Sequence, residues 1–294
     1  MQAIDLASAP AQRPGSSSVA NTSRLRERRV VVAVRDYQHD HAAIDWALSH
    51  ATPGVDNVHL IHAYPPLHLD GCHWPPVEHS RETRELAGRR VIAVALQRIT
   101  AGHRALRPDG SAVAGTPEEV LAEISEVADL LVLGDDSNDP ETEHRITWRV
   151  QNAAHCPVVC VPISYRPAAD AKPVTVVVDD QGLPDTAMVF GTEVALRAGV
   201  GLQVSRSWSA LHEPLPETGE WLAEQQQELD AQLADWRQQY PALPLSARIE
   251  LDDAWLGRLR RASNLLVAPT RSASLLRTAP IDLSHPCPVA TVPE

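Results

Sequence analysis

The chain has 294 residues, which is long for one average domain and sufficient for two domains of roughly 100 to 200 residues each. Its formal net charge of −12 and its pI near 5.5 exclude nonspecific binding to nucleic acid or to an anionic membrane, because both partners need a basic surface. No stretch reaches the roughly 18 to 20 consecutive apolar residues that a membrane-spanning helix requires. We therefore expect a cytoplasmic protein with neither nucleic acid nor a membrane as partner.

A polar segment opens the chain. Residues 1–27 are rich in Pro, Ser, Gln and Ala and lack the apolar core of a secretory signal, so we expect a disordered arm. Short apolar runs and three- or four-residue spacings then alternate. They predict a strand at 30–34, a helix up to about 51, a strand at 58–64, a helix at 82–100, a short strand near 112–114, a helix from 117 to about 127, and strands at 130–133 and 158–161.

One helix start in this series has a specific signature. Thr116, Pro117, Glu118 and Glu119 combine a capping box with a proline at the first helical position. We therefore expect the third helix of the series to begin at this point.

The remainder of the chain repeats the alternation of strands and helices. The patterns predict a strand at 174–178, a helix at 185–197, a strand at 202–208, a long helix at 219–239, a strand at 245–251, a helix at 253–261, and strands at 265–267 and 289–292. Strands that alternate with helices indicate right-handed crossovers and a parallel sheet covered on both faces.

Three sequence blocks occur twice and in the same order. VAVRD at 32–36 recurs as VVVDD at 176–180, DLLVLG at 129–134 as NLLVAP at 264–269, and CPVVCVP at 156–162 as CPVATVP at 287–293. The slowly shrinking offsets (144, 135 and 131 residues) indicate one fold duplicated in tandem. We predict two doubly wound parallel-sheet α/β domains, at 28–163 and 173–294, joined by a linker at 164–172.

These blocks resemble the universal stress protein family. The resemblance rests on the first strand with its helix, HAYPP at 62–66, DLLVLG at 129–134 and the closing Cys-Pro-Val strands, and it covers 29–162 and 172–293. It implies a Rossmann-like fold in each half. Members of this family typically pair their last strands across a two-fold axis, so the resemblance also implies that 157–161 and 288–292 pair within one chain as a pseudo-dimer.

The resemblance makes the nucleotide signature of the family testable in the first copy. Members that bind ATP carry an Asp at the end of strand one and the loop G-x-x-G-x9-G-[ST] after strand four, whose amides approach the phosphates. Here Arg35 holds the Asp position, Gly134 matches the first glycine, and Ser137 replaces the second. His144 and Arg145 hold the final Gly-[ST] positions. The loop carries five carboxylates: Asp135, Asp136, Asp139, Glu141 and Glu143. We expect that this copy binds no nucleotide.

The second copy departs from the signature differently. It keeps Asp179 at the strand-one position, but Pro269 and Ser272 replace the two glycines, and the terminal Gly-[ST] is unrecognisable. Thr270, Arg271 and Ser272 still offer donors to an anion. We predict that any nucleotide or anion lies beside Asp179, Thr270, Arg271 and Ser272, with Asp179 on a ribose or adenine. ATP is therefore the one cofactor left open.

The remaining constellations favour structural roles. One loop gathers groups that could ligate zinc (His62, His68, Asp70, Cys72, His73 and His79) without an organised spacing, so a polar surface loop is the simpler interpretation. Cys156 and Cys160 fit a buried stripe, and Cys156 and Cys287 fit buried thiols. The carboxylate groups Asp179-Asp180 with Asp185, and Asp252-Asp253, suit strand ends and helix starts. The apolar side of helix 219–239 suits packing on its own sheet.

Three functions remain at this stage. The first is a non-catalytic, cytoplasmic stress-response or regulatory module with degenerate nucleotide sites and an unknown protein partner. The second is an ATP-binding stress protein that uses the second domain alone, with slow ATPase activity. The third, an enzyme of the wider adenine-nucleotide α-hydrolase-like class, is disfavoured because the S-G-G-x-D-S type of phosphate loop is absent after strand one. A homo-oligomer is open beyond the intrachain pair.

Overall fold

The computed structural model describes residues 27–65, 81–100, 106–135, 143–167, 171–179, 182–207, 219–250, 254–276 and 286–294. The first half contains β1 (Arg29–Ala33), α1 (Tyr37–His50), β2 (Asn57–Tyr64), α2 (Arg81–Thr100), β3 (Asp109–Ala114), α3 (Pro117–Ser125), β4 (Leu130–Asp135), α4 (Glu143–Ala153) and β5 (Val158–Pro162). The second half contains β6 (Val174–Val178), α5 (Asp185–Ala198), β7 (Leu202–Ser207), α6 (Gly219–Gln232), α7 (Ala234–Gln239), β8 (Leu245–Glu250), α8 (Trp255–Ala262), β9 (Leu265–Pro269), a 3-10 helix (Thr270–Leu276) and β10 (Val289–Val292). The predicted α/β class is confirmed.

The strands form a ten-stranded sheet in the order β3-β2-β1-β4-β5-β10-β9-β6-β7-β8. Neighbouring strands within each half are parallel, and the halves meet where β10 pairs antiparallel with β5. Ala290 lies opposite Val159, and Thr291 lies opposite Val158. The pairing predicted for the two closing strands is therefore present, and the strand order reads the same from either outer edge once β6–β10 are matched to β1–β5.

Local signals explain where several helices begin and end. The hydroxyl of Thr116 accepts a hydrogen bond from the amide of Glu119, while the Glu119 carboxylate accepts one from the amide of Thr116, so the predicted capping box is confirmed. Asp36 caps α1 by accepting from the amides of Gln38 and His39. Helix α5 ends at Gly199, whose φ of 64° lies in the left-handed region.

Apolar side chains cover both faces of the sheet. One face carries a single buried cluster that runs through both halves and includes Ile44 and Trp46 of α1, Phe190 of α5 and Leu229 of α6. The opposite face carries two separate clusters, one in each half. The central strands are consequently buried on both sides, which explains why their sequences are continuous apolar runs.

A buried ionic cluster joins the halves. The side chain of Asp56 is fully buried and accepts from the amides of Arg28 and Thr52, at 3.1 Å and 2.8 Å, and from the guanidinium of Arg197 in α5, at 2.7 Å. Arg28 also contacts Asp56, at 3.3 Å, and Glu193 lies beside both guanidiniums. Arg197 belongs to the second half, whereas Arg28 and Asp56 belong to the first. Because both guanidiniums contact the buried carboxylate of Asp56, the cluster holds α5 against the first half.

Two sequence-based predictions are wrong. The sequence predicted no helix between the strands at 130–133 and 158–161, but α4 occupies Glu143–Ala153. His144 and Arg145, which were assigned to the phosphate loop, therefore belong to its first turn. Ile146, Val150 and Ala154, spaced by four residues, place apolar side chains on one face, and Val150 is fully buried.

The second wrong prediction concerns the long helix at 219–239. It is divided into α6 and α7 at Leu233. At this break the Arg237 guanidinium donates to the carbonyl oxygen of Asp230, which competes with continuous main-chain bonding. The prediction for its apolar side holds, because Leu229 and Leu233 are fully buried and Trp236 packs on the same cluster.

Candidate functional site

A cavity of about 170 Å³ opens in the first half where β1, β2 and β4 end. The carboxyl ends of parallel strands at a reversal of strand order are the usual place for a ligand in such sheets. Most of its wall is apolar and comes from three strands and two helices: Ala33, Ile61, Ala63, Leu121, Leu133 and Ile146. The first half thus has a preformed pocket at the position where the sequence predicted a lost nucleotide site.

Asp40 lines this cavity from the first turn of α1, although only 2% of the residue is exposed. Its Oδ2 atom accepts from the amides of Arg35, at 2.6 Å, and Asp36, at 3.4 Å, while Oδ1 lies 3.5 Å from Nη2 of Arg35. Burial raises the pKa of Asp40, and the neighbouring Arg35 opposes part of that rise. A buried carboxylate therefore faces a largely apolar space.

Gly134 is the one residue of the first copy that matches the phosphate loop of the family, and it lies directly against Asp40. A Cβ atom at position 134 would collide with the Asp40 carboxylate. The glycine therefore admits a carboxylate of the chain itself beside β4. Sequence reasoning missed Asp40, although its position one turn after Asp36, on the same face as the buried Ala43 and Ala47, was a usable signal.

Other groups of the first copy have local partners. Arg35, at the strand-one position, contacts Asp40 as described, and its side chain is 40% exposed. Nδ1 of His62 donates to the carbonyl oxygen of Val34, at 2.8 Å. Of the five loop carboxylates, Asp135 ends β4, and the side chains of Asp136, Asp139, Glu141 and Glu143 lie outside the described part.

Two of the three predicted donors of the second copy, Arg271 and Ser272, contact Asp179, whereas Thr270 contacts β10 instead. Asp179 accepts from Nε of Arg271, at 3.2 Å, and from the Ser272 hydroxyl, at 2.5 Å. Arg271 also donates to Glu294, at 2.8 Å, and the Thr270 hydroxyl donates to the carbonyl oxygen of Val292, at 3.2 Å. Slight burial lowers the pKa of Arg271, but the two carboxylates outweigh it and the pKa is raised. Each of the three donors thus has an acceptor within the protein.

The sheet register allows the wall of the first-half cavity to be compared with the second half. Val30 pairs with Val58 as Val174 pairs with Leu202, so the wall residues Ile61 and Ala63, and Val113, which pairs with Ala63 in β3, correspond to the following polar residues. They are Ser205, Ser207 and Glu250. An apolar wall in one half is therefore polar in the other.

Glu250 is only 3% exposed, and it is held by arginines. Its Oε2 accepts from Arg258 at 2.8 Å, while Oε1 lies 3.8 Å from Arg248. Neither Oε1 nor the buried hydroxyl of Ser205 has a hydrogen-bond partner among the described residues. The second half thus places charge and hydroxyl groups where the first half has hydrocarbon.

The remaining candidates divide between described and undescribed residues. His68, Asp70, Cys72, His73 and His79 of the histidine-rich loop, and Asp180, Asp252 and Asp253, lie outside the described residues. Asp185 lies in the first turn of α5, as a structural role requires. Within the described ranges no group of three or more His, Cys, Asp or Glu side chains is arranged to hold a metal ion.

Among the described residues, Cys156, Cys160 and Cys287 are buried and form no disulfide. Burial raises the pKa of Cys156 and of Cys287 to about 12. Cys156 and Cys160 belong to the same apolar cluster, so the predicted core stripe is confirmed. In the part of the chain that the structure describes, no helix combines the length and apolarity needed to cross a bilayer.

Sequence comparisons place this fold in a class. The sequence model of the Universal stress protein family matches residues 27–162, which contain β1–β5 and the cavity. Two curated relatives, Universal stress protein Mb2028c of Mycobacterium bovis and Universal stress protein Rv2005c of Mycobacterium tuberculosis, are each 25% identical over 265 residues, covering 85% of this chain and 86% of theirs. The first half of the chain, residues 27–162, therefore carries a universal stress protein domain, and the chain as a whole is similar to these universal stress proteins.

Solved structures agree on the fold. A universal stress protein from Archaeoglobus fulgidus superposes with a TM-score of 0.60 at 13% identity, covering 91% of this chain and 96% of that one. A functionally unknown protein, PA1789 from Pseudomonas aeruginosa, superposes with a TM-score of 0.55 at 12% identity, covering 90% and 92%. At these identities the likeness concerns architecture alone.

Proposed function

We propose that this protein is a non-catalytic, cytoplasmic regulatory module of the universal stress protein family in which both nucleotide positions have been altered. The observation that carries the proposal is that side chains of the protein contact the phosphate-loop position of each half. Asp40 lies against Gly134 in the first half, and Arg271 with Ser272 engages Asp179 in the second. The output of such a module would be an interaction with a protein partner.

Electrostatics support the loss of the first position. A triphosphate beside Gly134 would meet the Asp40 carboxylate, and Asp135 ends the same strand. Two like charges about 4 Å apart cost about 1 kcal/mol in water and more in a shielded site. Arg35 does not offset this fully, because its guanidinium already contacts Asp40.

Internal competition supports the loss of the second position. A phosphate that bound Arg271 would have to displace Asp179 and Glu294, and a ribose that bound Asp179 would have to displace Ser272. Pro269 ends β9 at the place of the first glycine and offers no amide donor.

The assembly is part of the proposal. We take 28–163 and 173–294 as two domains joined by 164–172, which form a pseudo-dimer within one chain. The antiparallel contact of β5 with β10 and the buried cluster of Asp56 with Arg28 and Arg197 support this arrangement.

A calorimetric titration of the full chain with ATP, ADP and AMP, each with and without Mg²⁺, tests the proposal. We expect no saturable heat with any of the three nucleotides. A dissociation constant in the low micromolar range for ATP, together with methyl or amide NMR shifts in β1, β2 and β4, would contradict the loss of the first position.

The second candidate function is an ATP-binding stress protein that uses the second half, with slow ATPase activity. One observation favours it: the donors of Arg271 and Ser272 lie beside Asp179, with Thr270 next to Arg271 in the chain, so that groups able to bind phosphate are gathered at this strand end. If this function holds, Arg271→Ala should reduce an ATP-dependent thermal shift by about a degree or more, because charge-assisted bonds to phosphate are roughly twice as strong as neutral ones. Arg145→Ala is the control and should not reduce it. Equal effects of the two changes would place the nucleotide elsewhere.

A further inference from the structure

The first-half cavity has the size of a single ring. Its volume is about 170 Å³. An apolar protein cavity of about 150 Å³ takes up benzene, so this space accommodates one six-membered ring with a short substituent. A complete nucleotide is much larger and would have to extend past Gly134, where the Asp40 carboxylate lies.

The walls of the cavity favour a hydrocarbon surface. The strands supply Ala33, Ile61, Ala63 and Leu133, and the helices supply Leu121 and Ile146. Binding pockets for small molecules commonly combine such a lining with one or two placed polar groups that fix orientation. Asp40 is the buried polar group of this cavity.

One oxygen of Asp40 retains the capacity to accept. Oδ2 receives the two backbone amides, whereas Oδ1 has a contact of 3.5 Å with Arg35, the limit of a hydrogen bond. A carboxylate oxygen accepts from N–H and O–H groups and repels anions, especially where water is excluded. The lining also includes Arg35, His62 and Thr147, but Asp40 is the one of these four that is buried, so we expect its charge to select the substituent.

We infer that the first-half cavity binds a small, single-ring compound that is neutral or cationic and carries an N–H or O–H donor, with the ring on the apolar wall and the donor on Asp40. The inference deepens the proposed function, on which it rests, by naming the ligand class of the position that no longer suits a nucleotide. We expect no such binding in the second half, because Ser205 and Ser207 stand at the positions of the wall residues Ile61 and Ala63.

Three probes of equal shape test the ligand class: benzylamine, benzyl alcohol and benzoate. Each is titrated into the full chain while the methyl resonances of Ile61, Leu121 and Ile146 are followed by NMR. Benzylamine and benzyl alcohol should shift these resonances saturably, and benzylamine should bind more tightly. Benzoate should bind at least about tenfold more weakly than benzylamine, because its carboxylate faces Asp40.

Matched variants locate the site. Ala63→Leu fills the cavity and should abolish the methyl shifts caused by benzylamine and by benzyl alcohol. Ser207→Leu, at the corresponding position of β7, should leave these shifts unchanged. Asp40→Asn keeps an oxygen for the amides of Arg35 and Asp36 but removes the charge. This change should weaken the binding of benzylamine by about tenfold and the binding of benzyl alcohol by much less, because hydrogen bonds to charged groups are the stronger ones. Asp40→Asn remains decisive if Ala63→Leu does not fold.

The outcomes separate this inference from the proposed function. It is overturned if no probe shifts the three methyl groups, if benzoate binds as well as benzylamine, or if Asp40→Asn affects all three probes equally. The proposed function is overturned instead by saturable ATP binding in the calorimetric titration. Ring binding without ATP binding supports both, and ATP binding without ring binding removes both.

Discussion

Ile61, Ala63 and Val113 in the first half and Ser205, Ser207 and Glu250 in the second hold the same places in the same kind of sheet. Ile61 and Ala63 line an open, largely apolar cavity, whereas the second set includes the buried carboxylate of Glu250, which Arg258 holds. Backbone pairing in a sheet requires only regular strands, so one face can change from hydrocarbon to charge while the register persists. The comparison teaches that a duplicated fold preserves its strand order more strictly than the chemistry at the ends of its strands.

The largest effect is expected when Asp56, at the junction of the two halves, is replaced by the residue that stands at the corresponding position of the second half. Val200 corresponds to Asp56, and Asp56→Val should lower the free energy of unfolding by about 3–5 kcal/mol, because Arg28 and Arg197 would remain buried without their carboxylate. Urea unfolding measures the loss. The control is Asp109→Ala, which removes an exposed partner of His59 and should cost no more than about 1 kcal/mol. Similar losses for both variants would show that the buried cluster stabilises the protein no more than an exposed pair does.

A smaller effect is expected where Gly134 meets Asp40. Gly134→Ala should destabilise the protein by about 1–3 kcal/mol, because the added methyl group collides with the carboxylate. Gly257→Ala in α8, where the nearest atom is 3.9 Å away, is the control and should stabilise by about 0.5–1 kcal/mol. A double-mutant cycle of Gly134→Ala with Asp40→Ala should reveal coupling of at least about 0.5 kcal/mol. Strict additivity would contradict the contact.

The pH dependence of stability should distinguish Asp40 as well. Burial raises its pKa above the ordinary 3.8, so between pH 3.8 and its folded-state pKa the folded protein binds more protons than the unfolded chain. Its contribution to stability is present below pH 3.8 and is lost as the pH rises through the folded-state pKa. The stability of Asp40→Asn relative to the wild type should therefore increase as the pH rises through that window and stay constant at higher pH. Denaturant unfolding of both proteins from pH 3.5 to 8 measures this difference. Parallel curves of unfolding free energy against pH would exclude a contribution of Asp40 to the pH dependence.

The smallest effect is expected in the second half. Arg271→Ala should change the free energy of unfolding by no more than about 1 kcal/mol, because the side chain is 33% exposed and its carboxylate partners remain hydrated. Arg197→Ala, which removes a 3% exposed guanidinium from Asp56, should cost several times more. Thermal unfolding of the two variants gives the ratio. A larger loss for Arg271→Ala would make its contact with Asp179 a structural requirement.

Much of the fold followed from sequence because the strands are short apolar runs bounded by turn residues, as at Val174–Val178. Helix α4 was missed because its apolar spacing (Ile146, Val150 and Ala154) lies beside a dense run of carboxylates that dominates the local composition. The division at Leu233 depends on a side-chain bond of Arg237, which has no periodic signature.

The candidate sites were less predictable. The strand ends alone predicted that Arg271 and Ser272 lie near Asp179, and both contact it, but Thr270 bonds to Val292. What sequence could not supply was their mutual bonding, since hydroxyl and guanidinium donors pair with whichever acceptor the fold brings near. The cavity was missed for a related reason. An open space depends on the sizes of side chains from six elements, and no single stretch of sequence contains that information.

The antiparallel contact of β5 with β10 has a consequence for synthesis of the chain. Strand β10 is made about 130 residues after β5, so at roughly 5–20 residues per second the inner edge of the first half stays unpaired for about 6 to 25 seconds. An unpaired strand edge recruits other strands, and a nascent neighbour on the same messenger carries the same sequence. Pro157 and Pro162, at the two ends of β5, lack amide donors and shorten the stretch that such a neighbour could join. The first half is thus exposed to mispairing until the second half arrives, and its prolines limit that exposure.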